Sequence, residues 1–154
     1  MKNRVFFFIL FFIIAAASAV AEPAVFPEDA ADWLSVLNSD FEETAGAIGQ
    51  GYIEIDPEEY SSRADKIIYY PEGLSLWSSG GKIIQLRLDS AWGGFISGIR
   101  IGITDADLRL VMGEPWIEEL GSLYYNLPWN EGPVRLRFVF TETGLIEIYL
   151  YGVR

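Results

Sequence analysis

The sequence predicts an α+β fold: two tandem repeats of a short capped helix followed by an antiparallel β-hairpin or meander, with the helices packed on one face of the sheet. Three observations carry this expectation. Apolar residues alternate through the C-terminal third, as in strands with one buried face. Two short apolar stretches each begin at an S/T-x-x-acid signature and close at a glycine. The order of these features recurs at an interval of 62 to 65 residues, the mark of an internal duplication.

Residues 1–21 read as a cleaved signal peptide. Lys2 and Arg4 precede the apolar run Val5 to Ala17, and Ala19-Val20-Ala21 supplies the small-x-small cleavage pattern. The run is short for a membrane span and ends in small residues instead of a basic stop. Residues 22–37 hold an N-terminal helix, with Pro27 and acids at its start and Trp33 and Leu37 on one face. Repeat 1 occupies residues 38–89. Its helix runs from Ser39-Asp40-Phe41-Glu42 to Gly49, and its hairpin joins GLSLW to KIIQLRL through Ser78 to Gly81. Residues 90–97, with Gly93-Gly94, form the linker.

Repeat 2 occupies residues 98–154 and opens with GIRIGITDADLRLVMGEP. Here Thr104 is expected to cap a helix and Asp107 to reach back to the cap's N–H. Ile103 and Leu108 stand at the positions of a hydrophobic staple. Leu108, Val111 and Met112 form the stripe facing the sheet, and Gly113 and Pro115 end the helix. Two strands follow. Val134, Leu136, Phe138 and Phe140 share one face opposite Arg135 and Arg137, and Ile146, Ile148 and Leu150 share one opposite Glu147, Tyr149 and Tyr151. If the apolar faces coincide, Arg135 and Arg137 lie on the side of Glu147.

Gly98, Gly102, Thr104, Gly113, Pro115, Tyr124-Tyr125 and Ile146 to Leu150 together make a recognisable order. It resembles the small α+β module of the SmpA/OmlA-type outer-membrane assembly lipoproteins and of the beta-lactamase-inhibitor-protein-like family. The likeness covers Gly98 to Gly152 well and Ser39 to Leu88 loosely. It implies an antiparallel sheet with a short helical segment on one face, and a role in protein contact. The chain departs from the lipoprotein pattern in having no cysteine to lipidate, so no lipid anchor is expected.

Composition narrows the chemistry. With no His and no Cys, Ser-His-Asp and Cys-His sites and the usual zinc sites are excluded. After cleavage the only lysines are Lys66 and Lys82, and neither sits in an S-x-x-K motif. Asp105-x-Asp107 fails as a calcium loop, because the sixth and twelfth positions are Leu110 and Trp116. Gly98-x-x-x-Gly102 lacks the G-K-S/T ending of a phosphate loop. No catalytic, cofactor-binding or metal-binding residue is assigned and no cofactor is expected. A hydrolase working through two carboxylates ranks third, since no spacing selects a pair.

The net charge is −11, or −13 once Lys2 and Arg4 leave, which disfavours nucleic acid as a partner. The expected function is therefore that of an exported, non-enzymatic bacterial protein, periplasmic or secreted, which binds another envelope or extracellular protein. The alternative is small-ligand or glycan binding through an aromatic face. The candidate interaction surface comprises Trp129, Tyr149, Tyr151, Tyr124 and Trp116. Packing of one repeat on the other would instead bury such rings.

Overall fold

The computed structural model describes residues 30–94, 96, 98–127 and 132–153. The expected signal peptide therefore lies outside the described residues. Helix α1 (Ala30–Val36) is followed by α2 (Phe41–Ile48), strand β1 (Ile53–Ile55), a 3-10 turn at Pro57–Glu59, β2 (Lys66–Tyr70), β3 (Leu74–Ser79) and β4 (Lys82–Leu88). Helix α3 (Asp105–Met112) precedes β5 (Ile117–Glu119), β6 (Ser122–Leu127), β7 (Val134–Thr141) and β8 (Gly144–Gly152). All eight strands join one antiparallel sheet in the order β1-β2-β3-β4-β8-β7-β6-β5.

This corrects the expected fold. The molecule is an antiparallel sheet with some helices, a composition compatible with α+β, but it is not two tandem helix–hairpin repeats packed on a sheet. Among the described residues the organising unit is one continuous eight-stranded sheet with three short helices beside it. The physical reason is edge pairing. A two-stranded hairpin is marginal by itself and leaves unpaired N–H and C=O groups along both sides. Here β4 pairs with β8 from Gln85↔Tyr151 to Leu88↔Ile148, so the central edges vanish. Short segments that carry little alternation of their own, Ile53–Ile55 and Ile117–Glu119, extend the sheet at its two ends.

One face of this sheet carries the core. Ile68, Tyr70, Leu74, Leu76, Leu86 and Leu88 from β2–β4 join Leu123, Tyr125, Val134, Leu136, Phe138, Ile148 and Leu150 from β6–β8. Trp33, Val36, Leu37, Phe41, Ala45, Ile48 and Leu108 bring the helices into the same cluster. Residues 90–97 also contribute, through buried Trp92 and Ile96, and Trp92 meets Trp33 edge to face at 5.4 Å.

Local chemistry sets the helix positions. Asp40, one residue later than the S-x-x-E reading placed the cap, accepts the Glu43 N–H at 3.1 Å. Ser39 instead donates its hydroxyl to the Val36 carbonyl at 2.6 Å. Thr104 accepts from the Asp107 N–H at 3.1 Å, while Asp107 accepts the Thr104 hydroxyl proton at 2.8 Å, not the cap's backbone N–H. The stripe of α3 is narrower than its sequence implies. Leu108 is buried and Met112 half-buried, but Val111 is exposed. The segment before α3 docks directly on β8: Gly102 N–H donates to the Leu145 carbonyl at 2.7 Å and Leu145 N–H to the Ile103 carbonyl at 2.9 Å.

A candidate interaction face on the sheet

The side of the sheet opposite the core is where the polar halves of the strands converge. Cross-strand register aligns Ile53, Tyr69, Ser75, Arg87, Tyr149, Arg137, Tyr124 and Ile117 in one row across all eight strands. The adjacent row runs Ile55, Ile67, Trp77, Gln85, Tyr151, Arg135 and Asn126. Period-two geometry makes such rows unavoidable once register is fixed. Arg135 and Arg137 alternate with the core residues Val134, Leu136 and Phe138, and so must share this face.

Rings and guanidiniums interleave along the rows. Arg137 lies 5.7 Å from the centroid of Tyr124 and 5.5 Å from that of Tyr149. Arg135 lies 4.6 Å from the centroid of Trp116, and Arg87 5.9 Å from that of Tyr149. All are within the range in which a ring quadrupole attracts a cation. Two weak hydrogen bonds fix the planes further: Arg137 Nε donates to Ser122 Oγ at 3.1 Å, and Arg135 Nε to Asn126 Oδ1 at 3.3 Å.

Glu147 is the acid at the centre of the face. It is ion-paired with Arg87 and accepts the Tyr149 hydroxyl proton at 2.8 Å. This differs from the pairing with Arg135 or Arg137 that alternation suggests, because Glu147 stands opposite Val139 while β4 brings Arg87 alongside. Burial and then the hydrogen bond to Glu147 push the Tyr149 phenol above its ordinary value. Burial is the largest single influence on the Arg87 guanidinium and would lower it, but the hydrogen bond to Glu147 together with the nearby charges of Glu147, Tyr149 and Asp89 holds it above its usual value.

Of the aromatic candidates, Trp116 is 55% exposed and Tyr124, Tyr149 and Tyr151 are half-buried on this face. Trp129 lies outside the described residues. Trp77 and Trp92 are buried, as is Tyr125, which packs edge to face on Phe138 at 5.7 Å. Sequence alternation placed Arg135 and Arg137 on the side of Glu147, Tyr149 and Tyr151 but did not count them in the candidate surface. Their signal was the phase of VRLRFVF against LIEIYLY, which needs the strand register to become informative.

Beside the face, a cleft of about 420 Å³ opens where β4 meets β8. Trp77, Gln85 and Tyr151 line it together with Ser61 and Arg63 from the loop before β2. The acids of the glycine-rich segment are engaged elsewhere. Arg109 binds Asp105 at 2.5 Å, Glu118 at 2.7 Å and Glu114 at 2.9 Å, tying α3 to β5, and these hydrogen bonds raise the Arg109 guanidinium above its usual value. Comparison with family models, with curated proteins and with solved structures gives no match for this chain.

Proposed function

We propose that the chain is an exported, non-enzymatic protein of the bacterial envelope or exterior that acts by binding another protein through the open face of its sheet. The observation that carries this reading is the interleaved row of Tyr124, Arg137, Tyr149 and Arg87, flanked by Trp116 and Arg135. Tyr, Trp and Arg are the side chains that concentrate binding energy in protein interfaces. Stacked on one another they are partly ordered before a partner arrives, so less side-chain entropy is lost on binding. The absence of His and Cys from the sequence and the likeness of Gly98 to Gly152 to a protein-contact module support the same reading.

Capture from envelope extract tests it. A partner retained by the native chain and by Leu110→Ser, a change at an 84% exposed residue on α3, should be lost from the double variant Tyr124→Ser with Tyr149→Ser. Equal capture by all three chains would remove the open face from consideration. The cleft beside Tyr151 favours a second reading, a small ligand or glycan seated between Trp77 and Tyr151. That reading expects quenching of Trp77 fluorescence by an oligosaccharide, abolished in Tyr151→Ala.

A further inference from the structure

Arg135 and Arg137 differ from the other described cations of the sheet. Lys66, Lys82 and Arg87 each have a carboxylate within 4.0 Å, as does Arg109 of α3. Among the described residues no carboxylate lies that close to Arg135 or Arg137. Glu147, the central acid of the face, is already taken by Arg87 and Tyr149. Each of the two guanidiniums is stacked on at least one ring and held at Nε by a neutral acceptor. Their Nη groups have no acceptor among the described residues.

We propose that this pair receives an extended acidic segment of the partner protein, with carboxylates two residues apart. The inference rests on the protein-binding reading above and names the partner's chemistry. A planar guanidinium with its Nε anchored presents a fork that matches a carboxylate in bidentate fashion, and stacking has already ordered its plane. Arg135 and Arg137 are alternate residues of β7, so their side chains stand about 6.6–6.8 Å apart along the strand. Side chains two apart on an extended peptide repeat at the same distance, and Asp or Glu at those positions meets both forks at once. The net charge of −11 opposes phosphates and carboxylates alike at long range, so the attraction rests on the short-range fit of these two guanidiniums to the carboxylates.

The test uses the full mature chain and short fluorescent peptides read by anisotropy. One peptide carries Asp at alternate positions among Thr and Val. A second has Asn in place of each Asp, a third has its two Asp adjacent, and a fourth has Lys. Oligothymidylate serves as a phosphate control. The alternate-Asp peptide should bind at least about tenfold more tightly than its Asn counterpart and more tightly than the adjacent-Asp one. Arg135→Gln with Arg137→Gln should erase that preference while leaving the far-ultraviolet circular dichroism, which reports the sheet, unchanged.

Four results overturn the inference: equal binding of the Asp and Asn peptides, preference for the Lys peptide, oligothymidylate binding as tight as the Asp peptide, or an Asp preference unchanged in the double variant. If the Asp preference fails while the Tyr124/Tyr149 double variant still loses its captured protein, only the acidic character of the partner falls. If both fail, the protein-binding reading falls with it.

Discussion

Gly113 ends α3 at φ +77° and ψ −164°, a backbone state open to glycine and strongly disfavoured for any residue with a Cβ. Its N–H donates to the Arg109 carbonyl at 2.8 Å, so the conformation closes the last turn. No heavy atom within 4 Å would meet a Cβ there, which makes backbone strain the whole cost of a substitution. Gly113→Val should lower stability by about 1 kcal/mol or more, read as a fall in the denaturant midpoint at constant slope. Tyr70 makes a different residue-scale prediction. It is fully buried and its hydroxyl donates to the Ala45 carbonyl at 3.1 Å. Burial, with smaller contributions from Tyr52 and Glu72, pushes its phenol up to about 12. The folded state therefore holds the proton more tightly than the unfolded chain, whose tyrosines ionise near pH 10. Stability from this group is fully present below pH 10 and lost as pH rises through about 12. Tyr70→Phe should cost about 1 kcal/mol at neutral pH and flatten the loss of stability above pH 10.

Turns show how elements are joined and where they can be improved. Leu120 and Gly121 form the two-residue connection between β5 and β6 with φ of +48° and +74°, the signature of a type I′ turn. Leucine is unsuited to that region and here is 95% exposed, so it gains nothing from burial in return. Leu120→Asn should raise stability by up to about 1 kcal/mol, visible as a higher denaturant midpoint. Gly144 is constrained by contact as well as by φ. A Cβ there would approach the Gly102 carbonyl oxygen to 2.7 Å and that of Ile103 to 2.9 Å. Gly144→Ala should therefore loosen the docking of the segment before α3 on β8, at a cost of about 1–3 kcal/mol. That docking explains two local departures from simple alternation. The partner of β7 steps from Glu147 to Leu145 across Val139 and Phe140, leaving Ile146 out of register. Leu145 is then buried and Ile146 only half-buried, although unbroken alternation points Ile146 inward. A bulge of this kind has no marker in LIEIYLY itself.

At the scale of the molecule, the expected cleavage can be measured directly. If residues 1–21 are removed on export, mass spectrometry of exported protein should find Glu22 at the N-terminus, and a retained Met1 would overturn cleavage. Among the described residues no helix is long and apolar enough to cross a membrane. The local chemistry was readable in the sequence, because it depends on neighbours in the chain: the cap at Thr104, the stop at Gly113, the alternation of β7 and most of β8, and the exclusion of His- and Cys-based sites. Tyr124, Tyr149, Tyr151 and Trp116 were also visible as candidates from alternation and from their excess over what a small core takes. The continuous sheet was not readable, since the β4–β8 pairing joins residues about 60 positions apart and leaves no periodic trace in either strand. For the same reason the partners of the arginines were hidden. Whether Glu147 binds Arg87 or Arg137 depends on which strand lies beside β8 and in which register, and this also decides that Arg135 and Arg137 keep their forks free of any described carboxylate. Sequence determined which side chains each strand offers to each face; tertiary pairing decided which of them meet.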